Sequence, residues 1–146
     1  MSFSDDLTYL AGLLAADAGI ADLFPAKTIN VVRRYKSRTE IHVSELPVIM
    51  LTRPRVAVEQ GSSAEGFQEH TVALYCGFTC EDREQAQDLV IRFEEALEKA
   101  IMVDPSLGMR VAHTEPGDSA NDEGKYHPVY FFVKEIKISK EIIWRP

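Results

Sequence analysis

Few residues of this 146-residue chain have the types and spacing that chemistry needs. Four histidines, His42, His70, His113 and His127, lie in four different segments, and none shares a helix turn with a second histidine and a carboxylate, as a zinc helix requires. Cys76 and Cys80 are separated by three residues, which fits neither a CxxC redox pair nor the paired ligands of structural zinc. As free thiols they suit a reducing, intracellular setting, Cys76 packing as a small hydrophobe on a strand. No glycine-rich dinucleotide loop, phosphate-binding P-loop or GxSxG nucleophile elbow is present. Glu94, Glu95 and Glu98 would serve acid–base chemistry only if buried together, and they read as a solvated helix face. The acidic stretch from Asp118 to Glu123 lacks the ligand spacing of a calcium loop. The expectation is a protein that is not an enzyme, holds no metal or cofactor, and works by binding other proteins.

The composition bounds this further. With 16 Lys and Arg against 23 Asp and Glu, the formal charge of -7 opposes binding to free nucleic acid. Two basic clusters stand against that average: Arg33, Arg34, Lys36 and Arg38, and then Lys134, Lys137, Lys140 and Arg145. Both read as solvated strand edges that resist unwanted pairing. At 45% hydrophobic residues the chain can bury one core, and residues 1–146 are expected to form a single domain. The opening segment is acidic, the wrong sign for a signal peptide, and no apolar run reaches membrane-spanning length.

The elements that would position any site follow from periodicity. Leu7, Leu10, Ala11 and Leu14 predict a first helix over about 5–17, with Ser4, Asp5 and Asp6 at its start and Gly19 as a stop. A short turn follows before Pro25. Residues 28–35 and 46–52 predict strands, and 55–59 a further one, broken from its predecessor at Pro54. Residues 60–66 read as a loop. Val72, Leu74, Cys76 and Phe78 alternate cleanly as a half-buried strand. Ala86, Leu89, Val90, Phe93, Ala96, Leu97, Ala100 and Ile101 trace one stripe of a long helix over about 81–103, capped by Thr79 or Cys80 and stopped at Asp104-Pro105. Residues 109–113 predict a strand and 115–128 a long polar loop. From Val129 to Ile138 the pattern returns to β, with an apolar tail at Ile142, Ile143 and Trp144. The order predicts an α+β two-layer sandwich: two helices on one face of a mostly antiparallel sheet, the other face presenting Tyr35, Tyr75 and Tyr130.

One stretch is more specific. The helix end Glu95-Ala96-Leu97-Glu98-Lys99-Ala100-Ile101 runs directly into Met102-Val103-Asp104-Pro105-Ser106-Leu107-Gly108, downstream of a strand reading Leu46-Pro47-Val48-Ile49-Met50-Leu51. This pattern resembles the tail terminator proteins of tailed phages, also described as minor tail protein U-like or tail completion proteins. Where that family carries a second glycine, this chain has Met109. The resemblance implies a structural virion protein in the tail neck region, present in the host cytoplasm during assembly. It implies a homo-oligomeric ring, usually a hexamer, that caps the head-proximal end of the tail tube, stops its polymerisation and provides the surface for head attachment. Its partners would be further copies of itself, the tail tube protein and the head–tail connector or neck protein, with genome DNA passing through the lumen unbound and no membrane involved. An electronegative lumen would favour that passage.

Contacts with such neighbours are expected where polar connections carry little core of their own: Ser62, Ser63 and Glu65 in the first loop with Phe67 just after it, and Asp118, Asn121 and Glu123 in the second. The C-terminal Ile142, Ile143 and Trp144 join them as an apolar tail that packs back on its own domain or docks on a neighbour. Two other readings share this pattern: another head–tail joining protein, and a small ligand-binding α+β regulatory domain.

Overall fold

A computed structural model describes residues 2–37, 39–60 and 65–143. They form an α+β fold in which helices cover one face of an open, mostly antiparallel five-stranded sheet. The first helix, α1 (Phe3–Ala15), starts two residues earlier than the pattern predicts. Ser2 is its cap and Asp5 completes a reciprocal capping box, so Asp5 and Asp6 lie inside the first turn. The helix also ends earlier, because Asp17 caps a new short helix, α2 (Ala18–Ala21), accepting from the Ile20 N–H at 2.9 Å. Gly19 therefore sits within α2 and is not a stop.

Strand β1 (Asn30–Val32) pairs in parallel with β2 (Val48–Gln60), through Val48, Ile49 and Met50 alone. A crossover containing a 3₁₀ turn at Val43–Glu45 joins them. The two strands expected on either side of Pro54 are one strand: the chain bulges between Thr52 and Arg55 and then keeps its pairing with β3 (Glu65–Thr79). A proline is tolerated there because β1 has already ended, leaving that side of β2 as an edge.

The long helix α3 (Arg83–Val103) is capped by Asp82, which accepts from the N–H groups of Glu84 and Gln85 at 2.9 and 3.2 Å. Neither Thr79 nor Cys80 takes that role. Its stripe of Ala86, Val90, Phe93, Leu97, Ala100 and Ile101 is buried against the sheet. The last two strands, β4 (His113–Asn121) and β5 (Val129–Ile143), pair with each other, and β5 also pairs with β3 along fifteen residues. Strand order is β1-β2-β3-β5-β4.

The predicted loop over 115–128 is thus corrected: residues 115–121 belong to an edge strand. Only Thr114 of β4 is buried, so the strand carries no apolar period, and a bulge between Pro116 and Ser119 interrupts its register. The strand expected over 109–113 begins only at His113, after a turn.

The core lies between helices and sheet. Phe78 stacks on Tyr130 with ring centroids 5.6 Å apart, and Phe93 meets Phe132 edge-on at 5.0 Å. Truncating Phe93 to alanine would cost about 3–5 kcal/mol on the usual scale for buried aromatics. Tyr130, expected on the open face, is buried in this core because its partner across the ladder is Phe78. Its hydroxyl is satisfied by His127 Nδ1 at 2.5 Å.

Candidate functional site

Among the described residues the four histidines lie in four separate places. His42 leads into the 3₁₀ turn, His113 is exposed 3.8 Å from Glu115, His127 meets Tyr130, and His70 is buried within β3. Among the described residues no group of three or more His, Cys, Asp or Glu is placed to hold a metal ion. Cys76 is fully buried, which pushes its thiol pKa well up, and Cys80 points its sulfur at the Asp82 carbonyl.

Two lysines of the C-terminal cluster are not the solvated edge that their charge suggests. Even-numbered positions of β5 face the helices, so Lys134 and Lys140 follow Tyr130 and Phe132 inward. Lys134 is buried and bonds Glu98 at 2.7 Å and the Gly117 carbonyl at 3.1 Å, tying α3 and the β4 bulge to the sheet. Glu98 is thereby a partner of the sheet and not simply a solvated helix carboxylate. Lys140 pairs with Asp6 of α1 at 2.5 Å, and Asp6 is fully buried. Beside that pair, Phe3 stacks flat on His70 at 3.7 Å, with Arg53 over the Phe3 ring at 5.4 Å. Burial, then the charges of Arg53 and Lys140, lower the His70 pKa to about 4, so the ring is neutral at pH 7.

The Asp104 segment is built as a turn. Its carboxylate accepts from the Tyr9 hydroxyl at 2.6 Å, the Gly108 N–H at 2.9 Å and the Ser106 hydroxyl at 3.2 Å. Those bonds hold the Asp104 pKa down and the Tyr9 pKa up. Leu107, Gly108 and Met109 all take positive φ, of 49°, 67° and 65°, which drives Leu107 fully into the core. The helix-to-turn sequence therefore works as a rigid corner binding α3 to α1.

The face of the sheet turned away from the helices is partly covered by the crossover. Leu46, Val48 and Met50 form a second, smaller cluster there with Ile41 and Tyr75, and Tyr35 meets Tyr75 edge-on at 4.8 Å. Beside them a cavity of about 390 Å³ opens between the crossover and the β4 end, lined by Tyr35, Met50, Tyr75, Asn121, Phe131 and Val133. The ring of Phe131, which lines it, lies over Gly77: a Cβ at that position would come within 2.8 Å of the ring.

The two sides of the sheet differ in charge. Along the β1–β2 side run Arg33, Arg34, Arg53 and Arg55, and among the described residues none forms an ion pair with a carboxylate. Arg33 reaches hydroxyls of Thr8 and Ser4, Arg53 covers Phe3, and Arg34 and Arg55 are exposed. The β4 side carries exposed Glu115, Asp118 and Glu123, with Asp122 alongside.

The residues expected to make contacts fall into two places. Phe67 is 47% exposed at the start of β3, and the backbones of Glu65 and Ile142 to Ile143 pair beside it. Asp118 and Asn121 lie on β4, and Glu123 sits in the following turn with its N–H on Asn121 Oδ1. Phe67 faces Glu141 and Asn121 faces Phe132 across β5, nine residues or about 30 Å apart at strand spacing, so the two groups form separate surfaces. Ser62, Ser63 and Trp144 lie outside the described residues, as do Arg38 and Arg145. The arginine side and the outer cavity do not follow from the sequence as units. A signal for the first is present in Arg33, Arg34, Arg53 and Arg55, but only the β1–β2 pairing aligns them.

An open, largely antiparallel sheet with helices on one face defines an α+β protein, and among the described residues its candidate functional features are the charged sides and the outer cavity. No protein-family model matches the chain, and no curated protein matches it in sequence. Among solved structures, a chain described as belonging to the virion of a native gene transfer agent particle has the same fold. The TM-score is 0.58, and the match covers 91% of this chain and 92% of that one at 11% identity. At that identity the likeness is one of fold.

Proposed function

We propose that this chain is a structural virion protein of a phage or phage-like particle, and that residues 1–146 act as one domain in a homo-oligomeric ring at the top of the tail tube. The ring caps the head-proximal end, ends tube growth and offers its free side to the head–tail connector. The observation that carries this reading is the end-to-end fold likeness to a virion chain, which leaves almost nothing of either protein unmatched. The helix-to-corner sequence ending in Asp104, Leu107 and Gly108 supports the tail terminator role in particular, because it is the stretch that resembles that family and is here an ordered element. A protein with this task uses dissimilar faces and a self-complementary contact, and it acts without a catalytic centre. The net charge of -7 suits a lumen through which DNA passes without adhering.

The test is negative-stain imaging of tails assembled with and without the protein. Overlong or headless tails that regain defined length and heads on complementation are the expected result; normal tails in its absence would sink the reading. Pull-down of the tube protein against the connector separates a terminator from another head–tail joining protein. A small ligand-binding domain is the second reading, and the cavity at Tyr35 and Phe131 is the observation in its favour.

A further inference from the structure

The opposite charges of the two sheet sides point to the contact by which one copy meets the next. We propose that copies of this chain pack head to tail, the arginine side of one sheet (Arg33, Arg34, Arg53, Arg55) against the acidic β4 side (Glu115, Asp118, Asp122, Glu123) of its neighbour. This deepens the ring reading above and rests on it.

Three observations support the joint. First, the charges sit at opposite ends of the strand order, with β3 and β5 between them, so a single subunit cannot neutralise one with the other: β2 and β4 are three strand spacings, about 14 Å, apart. Second, some of the nearby opposite charges are already engaged. On the arginine side Glu45 is held by Lys36 at 2.7 Å and Glu40 by Ser37 at 2.8 Å. On the acidic side Lys134 is buried on Glu98, and Lys125 lies over the Tyr126 ring at 5.7 Å.

Third, both long outer edges are interrupted. Pro54 sits in the β2 bulge and Pro116 and Gly117 in the β4 bulge, so neither edge offers a row of backbone groups unbroken along its whole length. A second copy therefore meets these edges through side chains, and guanidinium–carboxylate pairs are the chemistry available. Because every copy carries one side of each sign, the contact is heterologous, and a fixed rotation between neighbours closes it into a ring. A strand of nucleic acid would satisfy the arginines but not the acidic side, and the whole chain repels it.

The experiment uses the full chain and two charge-reversed variants, Arg34→Glu with Arg55→Glu, and Asp118→Lys with Glu123→Lys. All four positions are exposed, so folding is retained and is checked by circular dichroism. Mass is read by light scattering at about 0.1 M and about 1 M salt, where screening lengths differ roughly threefold. The expected result is a wild-type oligomer that dissociates at high salt, two variants that stay monomeric alone because each has lost the net charge of one side, and an equimolar mixture that reassembles, because the reversed residues of one variant complement those of the other. Variants that assemble as the wild type does overturn the edge contact and leave the ring reading standing. If the wild type is monomeric in solution, the same variants are read by complementation of tails: restoration only when both are supplied supports the contact, and restoration by either alone overturns it. Tails that are normal without any copy overturn the contact together with the reading beneath it.

Discussion

Lys140, near the end of the last strand, donates to Asp6 in the first turn of the first helix at 2.5 Å, across 134 residues of sequence. Asp6 is fully buried, and its second oxygen, Oδ1, has no hydrogen-bond partner. The pair locks the two ends of the described chain together, but its components are unequal: Lys140 retains some exposure, whereas Asp6 depends on it for charge compensation.

That asymmetry gives the first prediction. Lys140→Met strands a buried carboxylate and is expected to cost about 3–5 kcal/mol in urea unfolding, whereas Asp6→Leu with Lys140→Met recovers most of the loss. A double variant no more stable than the single one would show that the damage lies in packing and not in the unpaired charge.

His70 sets an acid limit on the same region. Its pKa of about 4 in the folded chain lies below the ordinary 6.5, so the unfolded chain binds the extra proton between those values. Stability is therefore level above pH 6.5 for this group and falls as pH drops towards 4, by roughly 3 kcal/mol at the lower end. Arg53 and Lys140 face the ring and oppose its protonation, and Asp6 favours it. His70→Gln should flatten the stability profile across that window; an unchanged slope would assign the acid loss to other groups.

Gly77 lies beneath the Phe131 ring that lines the outer cavity. A methyl group at residue 77 would stand 2.8 Å from Phe131 Cε1 and 3.2 Å from Leu46 Cδ2, so Gly77→Ala must push the Phe131 ring aside. The expected cost is about 1–3 kcal/mol, typical of overpacking. A cavity-binding dye or fragment that binds the wild type would then lose affinity in Gly77→Ala, and equal binding would show that Phe131 does not shape the pocket.

Much of this architecture is legible in the sequence, and the misses have a common physical origin. The stripe from Ala86 to Ile101 and the alternation from Val72 to Phe78 are plain because both elements press one continuous face into the core. Strand β4 is hidden because an edge strand buries almost nothing: Thr114 alone turns inward, and Pro116 and Gly117 mimic a loop. Pro54 misleads in the same way, since a bulged edge tolerates a proline that a central strand would not. Lys134 and Lys140 look like surface charges until the period of β5 is followed past Phe132, when both fall on the face of Ile136 and Ile138. The charged sides of the sheet are beyond reach for another reason: Arg33 and Arg55 are 22 positions apart in sequence and come to the same side of the sheet only because β1 pairs with β2.

Met109 offers the last test, and it bears on the segment that most resembles a known family. Its φ of 65° places a side chain in the left-handed region, and the residue is 92% exposed, so no packing repays the strain. The neighbouring positive-φ residues are accounted for, Leu107 by full burial and Gly108 by its missing Cβ, a position that the Tyr9 ring approaches to 3.1 Å. Met109→Gly removes a conformational cost of about 1–2 kcal/mol and adds back part of it as freedom of the unfolded chain, for a net gain of about 0.5–1 kcal/mol. Thermal unfolding should show the gain in Met109→Gly and none in Met109→Ala, which keeps the Cβ. Equal behaviour of the two would mean that the turn carries no strain at this position.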